Sequence, residues 1–188
     1  NTSKLPSYKI TLDKFKGDIK RTVEVELDSR TDAETLQALA EHIHSLSNKE
    51  VQRTFIGYRI KGAHQNESYW ATTHYNPNLE VVMLGSSLSE YEKIKNSDLT
   101  KQNSIGTWLA SWGYDYKITA YKKDDQIYIR NTYADGSTDE IFELLKTDKG
   151  IKLQNESTKG HGEYFIINKN GDLEFWSENG NYYTAPKY

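Results

Sequence analysis

A chain of 188 residues has room for one larger domain or two small ones. With 36% hydrophobic residues, 12% aromatic residues and a formal charge of -3, it excludes a disordered chain, which is poor in aromatics and high in net charge. The same balance argues against a nucleic-acid partner, which calls for a basic stripe. Cysteine is absent, so disulfides, thiolate chemistry and Cys-ligated zinc drop out together. No apolar run approaches the ~20 residues of a membrane-spanning helix.

Residues 1–7, which include Asn1-Thr2-Ser3-Lys4-Leu5-Pro6, read as a short polar tether. Such a tether suits an exported or cell-envelope-associated protein, including a lipoprotein acylated just upstream; a cytoplasmic protein is the alternative. Residues 8–98 read as an α+β domain. Val23, Val25 and Leu27 alternate with Thr22, Glu24 and Glu26, the period of a strand with one buried face, and Gly17-Asp18 supplies a turn before it. Lys14, Lys16, Lys20 and Arg21, interrupted by Asp13 and Asp18, read as a solvated strand edge guarded by lysines.

Thr31-Asp32-Ala33-Glu34 has the pattern of a capping box, with the threonine as the cap. It opens a helix to about Leu46 whose Leu36, Leu39, Ile43 and Leu46 form one apolar stripe. Beneath it an antiparallel sheet is expected, with strands over 53–60, 68–75 and 79–84, the last two joined at Asn76-Pro77-Asn78. Apolar residues on both faces of 79–84 predict a central strand. Ser87-Leu88-Ser89-Glu90 is a second capping box before a short helix through Tyr91 and Ile94.

The chain turns polar and aperiodic around 99–105, which reads as a linker. Residues 106–188 read as an all-β antiparallel meander or small barrel. Tyr116, Ile118 and Ala120 alternate with Lys117, Thr119 and Tyr121, Ile127 and Ile129 alternate with Tyr128 and Arg130, and turn signals stand at Asp135-Gly136, Asn170-Gly171 and Asn179-Gly180. That spacing predicts about six or seven strands.

Two stretches resemble known families. Arg53-Thr54-Phe55-Ile56-Gly57-Tyr58 followed by Trp70-Ala71-Thr72-Thr73-His74-Tyr75-Asn76-Pro77-Asn78-Leu79-Glu80-Val81 resembles a segment of small uncharacterised bacterial proteins, some exported or carried on mobile elements. The resemblance implies a prokaryotic origin and brings no catalytic residue with it. Gly106-Thr107-Trp108 at the head of the meander resembles the Gly-x-Trp start of lipocalin-like barrels, in which the tryptophan closes the barrel floor beneath a ligand cavity. Some 80 residues are few for eight strands with the usual loops, so a smaller barrel or a curved sheet with Trp108 in its core is expected.

Among five histidines, His42 and His44 diverge on the predicted helix and His64 sits in a polar loop. His74 is the best catalytic candidate, because Thr72, Thr73, Tyr75 and Asn76 could fix its tautomer and Tyr69 and Trp70 could wall a pocket. Strand alternation splits that cluster, with Thr72, His74 and Asn76 on one face and Thr73 and Tyr75 on the other. A hydrogen-bonded structural histidine beside a turn is the simpler reading, so no catalytic residue is assigned.

Gly85-Ser86-Ser87 is helix capping, since no nucleophile elbow is present. In Asp124-Asp125 and Asp139-Glu140 neighbouring residues on a strand point to opposite faces, so neither pair straddles a glycosidic bond, and they read as turn and edge charges. The segments 135–140 and 168–172 carry oxygen ligands at spacings wrong for a calcium loop and read as hairpin turns. No metal and no cofactor is expected.

Nine of 14 tyrosines lie beyond residue 100, beside Trp108, Trp112 and Trp176. Rigid amphipathic rings favour binding surfaces. The expected binding residues are Trp108, Tyr121, Tyr128 and Trp176 in the second half, with Tyr121 and Tyr128 paired across a hairpin, and Tyr69 and Trp70 in the first. The expected function is non-enzymatic recognition of a protein or glycan. The alternatives are a lipocalin-like carrier of a small apolar ligand and a hydrolase centred on His74.

Overall fold

The computed structural model describes residues 5–63, 68–97, 103–112 and 114–188. His64, the first four tether residues and positions 99–102 of the linker lie outside the described residues. The architecture is α+β, and the chain divides into two compact units, Asn1–Ser89 and Glu90–Tyr188. None of the helices among the described residues is long and apolar enough to cross a membrane.

The first unit holds β1 (Tyr8–Lys16), β2 (Lys20–Leu27), α1 (Ala33–Ser45), β3 (Arg53–Ile60), β4 (Ala71–Tyr75) and β5 (Leu79–Met83) in one sheet, ordered β1-β2-β3-β4-β5. Each pair is antiparallel except β2 and β3, which run parallel with Lys20 beside Arg53 and Leu27 beside Ile60. The wholly antiparallel sheet expected from the sequence is corrected at this pair. The chain leaves the end of β2, crosses the sheet as α1 and re-enters alongside the start of β2, and a helical crossover returns it in the same direction. β5 is an edge strand and not a central one; its apolar residues are half-buried, as an edge permits.

Val23, Val25, Leu27, Ile56, Tyr58 and Ala71 from the strands meet Leu36, Leu39, Ala40 and Ile43 from α1 in one buried cluster. Asp32, not Thr31, caps α1: its Oδ1 accepts from the Thr35 amide at 2.7 Å. A carboxylate at this position satisfies a free N–H and also meets the positive end of the helix dipole. The other end of α1 is held by Arg21. Read from the sequence as an edge charge, Arg21 is buried, donating from Nη1 to the Ile43 carbonyl at 3.0 Å and from Nε and Nη2 to the Asp13 carboxylate at 3.0 and 2.8 Å.

The second unit holds β6 (Ser104–Trp112), β7 (Tyr114–Lys123), β8 (Gln126–Thr132), β9 (Ser137–Lys146), β10 (Gly150–Gln154), a short 3-10 helix (Glu156–His161), β11 (Tyr164–Asn168), β12 (Leu173–Ser177) and β13 (Gly180–Ala185). These eight strands pair in sequence order, all antiparallel, as a meander. They exceed the six or seven expected because the turns consume little chain. Asp124-Asp125 turns β7 into β8 with φ of 48° and 61°, the left-handed pair that a two-residue type I′ hairpin demands.

The sheet curls into a nearly closed barrel, so the expectation that the segment is too short for eight strands is overturned. β9 makes the corner: Ser137 to Phe142 pair with β8, and Glu143 to Lys146 pair with β10. At the seam Trp108 bridges to Lys187, the Tyr188 amide donates to the Thr107 carbonyl at 2.9 Å, and the Tyr183 hydroxyl accepts from the Ser111 amide at 2.8 Å. α2 (Leu88–Asn96) ends against the outside of β7, where buried Lys117 donates from Nζ to the Lys95 and Ser97 carbonyls. A cation at a helix C-terminus satisfies its unpaired carbonyls and meets its negative end.

Inward-facing residues separate the barrel into levels. Gly106, Ala120, Ile127, Ile151, Ile167, Leu173 and Ala185 lie toward the end at which β6 begins. Trp108 stands above them, 1% exposed, its Nε1 donating to the Gly171 carbonyl at 2.7 Å. Its ring occupies the space over Gly106, where a Cβ would lie 2.5 Å from it. The Gly-x-Trp spacing thus has a steric cause: the glycine is the bed on which the indole lies.

Replacing Trp108 by Ala should lower stability by about 3–5 kcal/mol in urea titration, through lost burial and the cavity left behind. Gly106→Ala should cost about 1–3 kcal/mol by lifting the ring. Arg21→Met, which leaves Asp13 and the Ile43 carbonyl without their donor, should cost about 2–3 kcal/mol.

Candidate functional site

Aromatic side chains gather on three surfaces. The first is the sheet face of the first unit that α1 leaves uncovered. Glu24, Gly57 and Thr72 stand in register across β2, β3 and β4. Because Gly57 has no side chain, the Tyr69 ring lies flat on it; a Cβ there would come within 2.4 Å of the ring. The Tyr69 hydroxyl donates to Glu24 Oε1 at 2.7 Å, Arg59 donates to Glu24 Oε2 at 3.0 Å, and the Arg59 guanidinium stands 4.1 Å from the Tyr69 centroid. Burial, and then the Glu24 carboxylate, push the Tyr69 hydroxyl above the ordinary phenol range. It is a hydrogen-bond donor at neutral pH and not a base.

His74 lies on this same face, exposed, with its ring edge-on to Phe55 at 4.8 Å. Thr73 and Tyr75 point to the opposite, helix-covered face: Thr73 meets the buried Tyr58 hydroxyl at 3.0 Å, and Tyr75 stacks on His44 at 4.2 Å. The polar cluster around His74 is therefore split between two faces. Trp70, 7% exposed, is part of the core; it donates from Nε1 to the Ser86 carbonyl and lies over Gly85. Tyr69 and Trp70 share no pocket, because neighbouring residues take opposite sides. His42 and His44 diverge on α1, His42 toward Tyr8 and His44 toward Tyr75. Among the described residues no three His, Asp or Glu side chains converge as a metal-binding group.

The second surface is the outer wall of the barrel. Tyr121 and Tyr128 stack across the β7–β8 hairpin at 5.5 Å. Beside them Arg130 grips Asp139 through two bonds of 2.7 and 2.6 Å, and the Tyr121 hydroxyl donates to Asp139 at 3.0 Å. The Arg130 bonds hold the Asp139 carboxyl below its usual range. Further round, Tyr164 and Trp176 oppose each other across β11 and β12, their ring planes nearly parallel at 10° and their centroids 6.2 Å apart. Lys152 Nζ stands 4.0 Å from the Tyr164 centroid and Lys149 Nζ 4.1 Å from that of Trp176. The Trp176 indole donates to Glu174, which also accepts from Asn168.

The third surface is the barrel end opposite Trp108. Trp112, Tyr114 and Tyr182 are 43%, 69% and 39% exposed. Trp112 contacts Tyr182 and Tyr183 at 5.7 and 5.5 Å, and Tyr116 stacks on Tyr133 at 5.4 Å. A register shift between Phe175 and Trp176 lets Tyr182 and Tyr183, neighbours in sequence, both approach Phe175. Burial, and then the neighbouring phenols, push the Tyr116 hydroxyl well above its ordinary range.

Of the residues expected to bind, Tyr121, Tyr128 and Trp176 stand on the outer wall and Tyr69 on the open sheet face, whereas Trp70 and Trp108 are buried and present nothing to a partner. The sequence reading missed Tyr164, which sits as far before Asn170 as Trp176 sits after it; folding the chain symmetrically about the Asn170-Gly171 turn would have paired them. It also missed the barrel end, since Trp112 meets Tyr182 and Tyr183 only through closure. Asp139 and Glu140 do take opposite faces, and the 168–172 segment is a hairpin turn in which Asn168 Oδ1 accepts from the Asn170 and Asp172 amides.

Because Asp139 has its pKa lowered in the fold, its contribution to stability is present above the ordinary carboxylate range and lost as pH falls through the folded value. The difference in Tm between the wild-type protein and Asp139→Asn should be largest near pH 7 and shrink below about pH 4. His74→Gln should change folding stability by no more than about 0.5 kcal/mol in urea titration, as expected for an exposed side chain. No family model, curated protein or solved structure matches this chain.

Proposed function

We propose that the protein is a non-enzymatic binding protein, exported or attached to a bacterial envelope, that recognises a macromolecular partner through the aromatic outer wall of its barrel. The supporting observation is the Tyr164–Trp176 pair: two nearly parallel, stacked rings on the outside of the barrel, flanked by the amines of Lys149 and Lys152 and the carboxylate of Glu174. Rigid rings contribute contact area at little entropic cost, and the surrounding charges fix orientation. The Tyr121–Tyr128 stack with Arg130 and Asp139 is a second patch of the same make. Pairing of this kind also strengthens a sheet by about 0.2–1 kcal/mol per pair, so the test must separate binding from stability. Tyr164→Ala with Trp176→Ala should weaken capture from a glycan array or an envelope extract by roughly thirtyfold, as for a hot spot of ~2 kcal/mol, with less than half of that loss in folding stability. Wild-type protein silent in both assays overturns the reading.

A second reading, a small-ligand carrier, draws on the eight-stranded closure and on the indole floor. Phe142, Phe165, Phe175 and Tyr183 fill the middle of the barrel, so a ligand would sit at the aromatic end and not deep inside. A co-purifying small molecule in native mass spectrometry supports this reading.

A further inference from the structure

A cleft of about 410 Å³ lies on the outside of the barrel, between the last turns of α2 and the β8–β9 hairpin. Lys117 sets its width: its amine ties the Lys95 and Ser97 carbonyls of the helix end to the wall, and it stands in register with Thr132 on β8. On the wall side Arg130 and Thr132 project outward two residues apart, and Ser137 faces Thr132 from β9. The hairpin turn, closed by the Tyr133 amide donating to the Gly136 carbonyl at 2.7 Å, forms one end. On the helix side Lys93 and Ser97 lie four residues apart, on one face.

The cleft holds donors that the fold does not use. Arg130 gives Nε and Nη2 to Asp139, which fixes the guanidinium and leaves Nη1 without an acceptor. The Lys93 amine is exposed and makes no ion pair or hydrogen bond among the described residues. Thr132 is 8% exposed, and its hydroxyl has no partner, an arrangement that folding alone leaves unfavourable. Of the acidic groups, Asp139 is neutralised by Arg130, and Asp135 stands exposed at the hairpin tip.

From this we infer that the cleft is a binding site for a small molecule carrying an oxyanion, a carboxylate or a phosphate, received by the Lys93 amine, Arg130 Nη1 and the Thr132 and Ser137 hydroxyls. An oxyanion has acceptor sites for several donors at once, and bonds to charged donors are the strong ones. A guanidinium already held by a carboxylate loses little freedom when it binds, while the Lys93 stem swings to meet the ligand. The volume is that of a metabolite-sized pocket. Asp135 opposes the anion from the rim. The inference goes beyond both readings above, because it draws on neither the Tyr164–Trp176 pair nor the barrel interior.

The test is NMR titration of the isotope-labelled full chain with inorganic phosphate, citrate and uncharged glycerol at low ionic strength. At least one of the two anions should bind saturably, moving the amides of Ser97 and of residues 132–137, and should weaken as salt rises; glycerol should move none of them. The tighter anion identifies the oxyanion. Lys93→Gln should weaken it by about fivefold, Thr132→Val by about threefold, and Asp135→Asn should tighten it by about twofold. Lys9→Gln in the first unit should change nothing. Lys93 is exposed and unpaired, so its variant keeps the fold and stays informative even where Thr132→Val perturbs it. The inference is overturned if neither anion saturates, if the shifts spread over lysines elsewhere on the surface, or if Lys93→Gln binds as the wild type does. Capture through Tyr164 and Trp176 does not depend on Lys93, so failure here leaves the outer-wall reading intact.

Discussion

Closure of the eight-stranded sheet at the β6–β13 seam is the constraint on which the second unit depends. An open meander of this length would leave two strand edges with unpaired amides and carbonyls. Here the last residues return to the first strand, Tyr188 to Thr107 and Lys187 to Trp108. The same closure brings Gly171 within reach of the Trp108 indole, which would otherwise carry a buried N–H without an acceptor. It also converts rings distributed over β6, β7, β8 and β13 into neighbours. The contacts of Trp112 with Tyr182 and Tyr183 exist only because the sheet closes.

In the first unit the corresponding role falls to Arg21. Its guanidinium ties three segments at once, the Asp13 carboxylate of β1, its own strand β2 and the last turn of α1. The parallel β2–β3 pair needs α1 to end near the start of β3, and Arg21 fixes that end by donating to the carbonyl of Ile43 in the last turn of the helix. The helix-facing side of the sheet is then largely apolar and covered by α1. The other side, with Tyr69 lying on Gly57 above Glu24 and Arg59, is polar and aromatic and remains uncovered within this unit.

Elements whose signal is local were legible in the sequence. The apolar stripe of α1, the alternation of β2, β7 and β8, and the Gly-containing turns all follow from period and turn chemistry. What was not legible involved residues distant in sequence. The parallel pairing of β2 with β3 depends on where a crossover lands, and an apolar pattern on both faces does not distinguish the half-buried edge strand β5 from a central one. The number of strands was underestimated because turns as tight as Asp124-Asp125, with both residues left-handed, leave more of the chain to strands than was allowed for. Trp108 was legible in spacing but not in consequence, since the carbonyl it bonds lies in the β11–β12 turn.

The site followed the same division. Tyr121 and Tyr128, neighbours across one short hairpin, were paired from sequence, and the two faces of β4 around His74 were separated by simple alternation. Lys149 above Trp176 and Tyr182 beside Trp112 required the register of whole strands.

The four tryptophans fall into four different surroundings. Trp70 alone serves the first unit, buried and hydrogen-bonded; Trp108 is enclosed, Trp112 wet, and Trp176 lies under an ammonium group. The emission of this protein is therefore a composite of spectrally distinct indoles, and the loss of order in the first unit is reported by a single chromophore.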